Sequence, residues 1–460
     1  MENIGRFLFY IFRSKKLIYC KLFIFQFNPK YFISLPIIFV FQSQERTNMM
    51  DNFFDDKISE RLGGINFGKS TEIYKFELIK RAKAAARKAH PDVALIDMGV
   101  GEPDWPADID VVEALSREAG KHENRWYADN GIPEFQEAAA HYMERIYGVH
   151  GLKPSEHIVH GIGSKPILAM IPLCFINPGD ILLTTIPGYP VTATYTTYLG
   201  GEVFSLPLLE SNSFLPDLEN IPLPVLEKAK LLYLNYPNNP TGATATMDFF
   251  EHVVDFARKN NIIVVNDAAY GALTYNGKKP LSFLSARGAL EVGMEVHSLS
   301  KAFNMTGWRI GFVCGNSKAV KAYATVKDNS DSGQFRAIQK AAVHALNHPE
   351  ITEKTIAKYS RRFDLLVGAL KEVGFDARKP GGTFYCYVKA PSGTENGRIF
   401  NTASEFSEFL ISESLISTVP WDDAGSYIRF SVTFEADSAS EETEVINEMK
   451  RRLKSLKLKF

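Results

Sequence analysis

SLSKAFNMTGWRIGF, residues 298–312, decides how the rest of the chain is read. It completes a short apolar run, EVHSLS at 295–300, that suits a buried strand, and then turns through a glycine to Trp308-Arg309. A lysine at the end of a buried strand is costly unless it is neutralised, paired or covalently engaged. Lys301 stands there, and a desolvated ε-amine is a good partner for a carbonyl carbon. Ser298, Ser300 and Arg309 flank it, and hydroxyls with a planar guanidinium are what a phosphate dianion needs.

Outward from this stretch the texture repeats. Apolar runs rich in β-branched residues, such as ALIDMGV (94–100), HIVHGIG (157–163), DILLTTIP (180–187), LLYLNYP (231–237), NIIVVND (261–267) and RIGFVCG (309–315), are unbroken by polar alternation. Between them VVEALSREAGKH, IPEFQEAAAHYMERIYG, MDFFEHVVDFARKN and KAVKAYATVKD have helical periodicity. Such alternation predicts an α/β fold whose largely parallel sheet is covered on both faces. From about Pro349 the pattern shifts to long polar helices, a strand pair GGTFYCYVK and YIRFSVTF, and a final helix EETEVINEMKRRLKSLK, which together read as a smaller α+β domain. The expected organisation is an extension at 1–48, an arm with part of the small domain at 49–110, a large domain at 111–345 and a small C-terminal domain at 346–460.

Of 460 residues, 45% are hydrophobic and 23% charged, enough for a large core. Lys plus Arg number 52 against 53 Asp plus Glu, so nothing electrostatic favours nucleic acid or an anionic membrane, and a small-molecule substrate is expected. Cys20, Cys174, Cys314 and Cys386 form no CxxC pair, so no zinc or other metal site and no disulfide framework is expected, and a cytoplasmic home follows. Between Asn3 and Gln44 there is no acidic residue. The apolar run Tyr31–Phe41 is shorter than the roughly 20 residues a bilayer span needs. The expectation is that translation begins at Met49 or Met50 and that the upstream stretch stands outside the fold.

Three further clusters converge with the lysine. Gly163-Ser164-Lys165-Pro166 follows a strand and opens a helix, where free N–H groups and the dipole favour an anion. Asp267 closes the strand NIIVVND, at the end where such sheets bind ligands, and a carboxylate there can hold a pyridine nitrogen protonated. Asn239 lies in the turn NYPNNPTG and can donate to a ring hydroxyl; read alone, the same residues make an Asn-Pro turn.

NNPTG at 238–242, DAAY at 267–270, SLSK at 298–301 and GWRIG at 307–311 resemble, in order and spacing, the signature of the class I/II aminotransferases of fold type I. That resemblance implies the PLP-dependent transferase fold and pyridoxal 5'-phosphate as cofactor. By position, Lys301 resembles the Schiff-base lysine that also moves the proton between Cα and C4′, and Asp267 the partner of the pyridine nitrogen. Asn239 and Tyr270 resemble the pair on the ring hydroxyl. Ser164, Lys165, Ser298, Ser300 and Arg309 resemble the phosphate cup, and Tyr189 in PGYP the aromatic stacked on the ring. Arg429 in YIRFSV is similar to the arginine that clamps the substrate α-carboxylate. Gly101 in GVGEPD and Tyr74 in EIYKFELIK resemble residues that face the substrate, for which Lys165, Tyr189 and Asn239 are further contacts. Tyr127 in RWYADNG resembles a tyrosine lent to the neighbouring subunit, which implies a homodimer with shared active sites.

Within the family, GSKPILAMIPLCFINPGD, LLYLNYPNNPTGATAT and ATVKDNSDSGQF narrow the implied activity to transfer between LL-2,6-diaminopimelate and 2-oxoglutarate. A member acting on aspartate, alanine or aromatic amino acids, a lyase using the same cofactor and a non-catalytic sensor are the rival readings.

Overall fold

The computed structural model describes residues 8–14, 17–23, 53–54, 56–69 and 75–460. Tyr74, the run Tyr31–Phe41, Met49 and Met50 lie outside them. The chain forms two units, Met1–Ile73 and Tyr74–Phe460. The first contains an antiparallel hairpin, Leu8–Ser14 with Leu17–Phe23, and two single-turn helices at Glu60–Leu62 and Gly64–Asn66. Among the described residues no helix is long and apolar enough to cross a membrane.

The second unit is built on a seven-stranded sheet. Its strands are β1 (Ile158–Gly161), β2 (Ile181–Ile186), β3 (Glu202–Pro207), β4 (Ala229–Asn235), β5 (Ile263–Asp267), β6 (Gly293–Ser298) and β7 (Gly311–Gly315). They lie in the order β1-β7-β6-β5-β4-β2-β3. All run parallel except β7, which is antiparallel to both neighbours. Alternate residues face opposite layers, as the two-residue period of a strand requires. Leu231, Tyr233, Val265 and Val296 pack on one side with Ile167 and Leu168. Leu232, Leu234 and Val264 pack on the other with Phe250 and Val253.

The longer helices are α1 (Lys75–Ala89), α2 (Ile109–Ala119), α3 (Pro133–Tyr147), α4 (Ser164–Phe175), α5 (Met247–Asn260), α6 (Ser317–Asp328), α7 (Arg336–Asn347), α8 (Ile351–Val373), α9 (Ala403–Ser414) and α10 (Ala439–Ser455). Helix α5 shows why the sequence obeys: Thr246 accepts from the Phe249 N–H at 3.2 Å, and Phe249, Phe250, Val253, Val254 and Ala257 form its buried stripe. Asn261 then ends it in the left-handed region at φ 55°.

A smaller antiparallel sheet joins β8 (Tyr385–Lys389), β9 (Val419–Trp421) and β10 (Tyr427–Ser431), with β10 in the middle. Helices α8 and α10 are tied by Glu442, which accepts from Arg361 at 2.8 Å and from buried Arg362 at 2.9 Å. ALIDMGV, in the stretch assigned to the arm and part of the small domain, does not join the large sheet. Its strand is only Ile96–Asp97, and it pairs with Ile416–Ser417 beside the small sheet. The apolar run told of burial but not of partner. The exposed edge strand β3 was not anticipated, because Glu202 and Ser205 interrupt its apolar residues.

Candidate active site

The parallel strands β2, β4, β5 and β6 deliver their carboxyl ends to one edge of the sheet, the usual ligand crevice of such folds. Asn235 and Asp267 are register partners there, and Asp267 is paired in turn with Val296 of β6. Each of these ends opens directly into a functional turn. After β6, Ser298 accepts from the Ser300 N–H at 3.1 Å and starts the single helical turn that carries Lys301. Because β7 is antiparallel it begins at this same edge, with Gly311 opposite Ser298 and Gly161, which brings Arg309 beside the start of α4.

Together these elements line a cleft of about 640 Å³. Gly101, Ser164, Lys165, Tyr189, Asn239, Asp267, Tyr270, Ser298, Ser300, Lys301, Arg309 and Arg429 all reach its surface. Tyr127 does not: it is 78% exposed and lies in a separate groove, where its carbonyl accepts from Arg336 at 2.8 Å.

Lys301 donates to the Gly101 carbonyl at 2.7 Å. Burial lowers its ammonium pKa to about 8; Glu102 opposes this, while Arg429 and Arg309 add to it. The amine is therefore neutral far more often near pH 8 than an ordinary lysine. Asp267 is buried, and burial raises its pKa to about 6 against the pull of the Ala269 N–H at 3.1 Å and the Tyr233 hydroxyl at 3.2 Å.

At the anion end, Gly163 has φ 78°, and a Cβ built there would come within 2.4 Å of Arg309 Nη2. Only glycine lets the guanidinium lie against the first turn of α4. Arg309 itself sits in the left-handed region at φ 58°. Gln334 secures that conformation by donating to the carbonyls of Trp308 and Arg309 at 2.6 and 2.7 Å.

The opposite wall comes from the small sheet. Arg429 on β10 is buried, donates to Asn239 Oδ1 at 3.0 Å and to the Gly99 carbonyl at 3.2 Å, and stacks 3.9 Å above the Tyr385 ring. With its Oδ1 so engaged, Asn239 presents Nδ2 as its donor end. The hydroxyls of Tyr270 and Tyr385 share a hydrogen bond of 3.1 Å.

Sequence reasoning passed over Asn235, Tyr233 and Tyr385. Asn235 Nδ2 donates to the Asp267 carbonyl at 2.7 Å, and Asn235 Oδ1 accepts from the Asn239 N–H at 2.9 Å, so one buried amide ties two functional turns together. A polar residue inside the apolar run LLYLNYP was a usable signal, because buried amides need partners. Lys75, Trp421 and Asp423 also line the cleft.

Residues 93–446 match the model of the family described as aminotransferase class I and II. The chain is 58% identical over 419 residues to the LL-diaminopimelate aminotransferase of Methanocaldococcus jannaschii, covering 89% of this chain and 100% of that one. It is 40% identical to the protein of the same name from Moorella thermoacetica, over 81% and 94% of the two chains. Among solved structures, substrate-bound BacF from Bacillus subtilis superposes with a TM-score of 0.77 at 35% identity, covering 85% of this chain and 97% of that one. A single mutant of Thermus thermophilus aspartate aminotransferase gives 0.74 at 27% identity, covering 86% and 99%. The chain belongs to the class I and II aminotransferases.

Proposed function

We propose that the chain transfers an amino group between LL-2,6-diaminopimelate and 2-oxoglutarate, giving tetrahydrodipicolinate and glutamate in the direction of lysine and diaminopimelate biosynthesis. The relatives at 58% identity bear the name of that reaction. The observation that carries the chemistry is Lys301: its amine is desolvated, lies in the cleft with Asp267, and faces the carbonyl of Gly101.

Pyridoxal phosphate is the cofactor, and the donor set fits it. Two serines, the first turn of α4 and a guanidinium form a cationic, N–H-rich end; a buried carboxylate lies across the cleft; and an amide and a phenol lie between. When bound, the cofactor supplies an aldehyde for amine exchange and a ring that accepts the electron pair released at the substrate Cα.

The residues then divide the work. Ser164, Ser298, Ser300 and Arg309 hold the phosphate, with Lys165 at the rim. Asp267 meets the pyridine nitrogen, and Asn239 Nδ2 with the Tyr270 hydroxyl meets the ring oxygen. Tyr189 covers the ring face. Arg429 takes the substrate α-carboxylate through its two terminal nitrogens. With the cofactor bound, the Lys301 amine would take up the substrate Cα proton and later give it back, acting first as base and then as acid.

The large domain spans about 111–345, and the small domain combines 346–460 with part of 49–110. A cytoplasmic homodimer completes the reading: exposed Tyr127, with Trp126 and Phe335 also exposed, forms an aromatic patch suited to a second copy. Tyr127 then contributes to the partner's phosphate site, and Tyr74 to substrate binding.

A coupled assay with LL-diaminopimelate and 2-oxoglutarate, run beside one with aspartate, tests the substrate. Faster turnover of LL-diaminopimelate is expected, and the reverse order would transfer the assignment to aspartate. Borohydride reduction of the holoprotein is expected to leave the pyridoxyl group on the peptide containing Lys301; a label elsewhere removes Lys301 from its role.

A further inference from the structure

The cleft contains more charge than the residues named so far require. Lys75 begins α1 and lines the cleft, with its Nζ 3.8 Å from the centre of the Trp421 ring and 3.2 Å from the Pro420 carbonyl. The Asp423 carboxylate, on the turn between β9 and β10, lies 4.0 Å from the same ammonium. Both side chains are partly exposed, 35% and 46%, as befits residues at the mouth.

The neighbouring acid, Asp422, has a structural task. It accepts from the N–H groups of Ala403 and Ser404 and from the Ser404 hydroxyl, which fixes the start of α9. Among the described residues Asp423 makes no such contact, and Lys75 is its cationic partner. A loose pair of this kind contributes little to stability, since partly exposed ion pairs are worth about 0–1 kcal/mol. Its position is better explained by what enters the cleft.

LL-2,6-diaminopimelate carries an amino-acid head at each end. Arg429 and Lys301 serve the reacting head. The distal head presents one carboxylate and one ammonium, which need a cation and an anion side by side. We propose that Lys75 and Asp423 form this distal subsite, with Lys75 receiving the far carboxylate and Asp423 the far ammonium, while the Trp421 ring holds Lys75 in place. The inference rests on the substrate assignment above. It goes further by naming the residues that separate this substrate from shorter or singly charged amino acids.

Two substrate analogues isolate the two contacts. L-2-aminopimelate lacks the distal ammonium, and L-lysine lacks the distal carboxylate. In the wild-type holoenzyme, kcat/KM for LL-diaminopimelate is expected to exceed both. In Asp423→Asn the ratio of kcat/KM for LL-diaminopimelate to that for L-2-aminopimelate should fall about tenfold, mainly through KM, as loss of a charge-assisted contact predicts. In Lys75→Met the ratio of LL-diaminopimelate to L-lysine should fall by about the same factor. Calorimetric titration with pimelate, which carries both carboxylates and no amine, provides a binding readout: Lys75→Met should weaken it severalfold, and Asp423→Asn should not. Ratios that stay within twofold of wild type in both variants overturn the subsite and leave the substrate assignment standing. A wild-type enzyme that does not turn over LL-diaminopimelate overturns both.

Discussion

The two walls of the cleft are held by different means. On the sheet wall, Asn239, Asp267 and Lys301 each follow a strand end by at most four residues, and those ends are aligned by register and by the Asn235 amide. On the facing wall, Lys75, Tyr385, Trp421 and Arg429 come from α1, β8, β9 and β10, and side-chain stacking positions them: Arg429 on Tyr385, Lys75 on Trp421. Backbone-fixed groups suit chemistry, where small displacements are costly. Stacked groups on separate elements can change with the substrate. The sheet wall should therefore govern turnover, and the facing wall affinity and choice.

The largest test of that division is Lys301→Ala. Losing both the covalent anchor and the proton carrier should cut turnover by roughly ten-thousandfold or more, read in a single half-reaction. A variant retaining a tenth of wild-type activity would take the chemistry away from the sheet wall. Asp267→Asn should follow, at roughly a thousandfold in kcat, with a shifted absorbance of the bound cofactor because the ring nitrogen loses its anionic partner. Arg429→Gln belongs to the other wall. It should reduce kcat/KM about a hundredfold, mostly through KM, with the cofactor absorbance unchanged. Equal loss in kcat at unchanged KM would erase the distinction between the walls.

The same distinction governs what could be read from residues alone. Strand-end groups announce themselves, because an apolar run broken by Asp, Asn or Ser-Leu-Ser-Lys is a local pattern with a local cause. The parallel sheet, its two covered faces and the helices quoted from the sequence were legible for that reason. Tyr385 sits in the strand FYCYVK, where alternation predicts a packed ring but says nothing of a hydroxyl meeting Tyr270 from 115 residues away. Nor does WDDAG distinguish Asp422, which caps a helix, from Asp423, which faces the cleft; that depends on the path of β9. The strand partner of segment 94–100 was illegible for a related reason. Apolarity marks a buried run, whereas its partner, Ile416–Ser417, is chosen by the whole fold.

The smallest effect concerns the apoprotein and separates chemistry from stability on the sheet wall itself. Asp267 is ordinarily a group of pKa 3.8, raised in the fold to about 6. Between those values the folded state binds the extra proton, so stability falls as pH rises from about 4 to about 6 and stays reduced above. A two-unit shift at a buried carboxylate corresponds to a cost on the order of 2 to 3 kcal/mol at neutral pH. Asn carries no charge to desolvate, and the Tyr233 hydroxyl can turn to accept from its amide. Apo Asp267→Asn should thus melt a few degrees higher than wild type at pH 7, with little or no gain at pH 4, where the native carboxyl is already protonated. Lys301 gives the opposite slope, since its folded pKa of about 8 lies below the ordinary 10.5 and stability rises with pH across that window. Calorimetry of the two apoproteins at pH 4 and 7 reads the difference. An equal gain at both values would mean that Asn packs better, and that the buried charge Asp267 brings to the ring nitrogen carries no stability cost of its own.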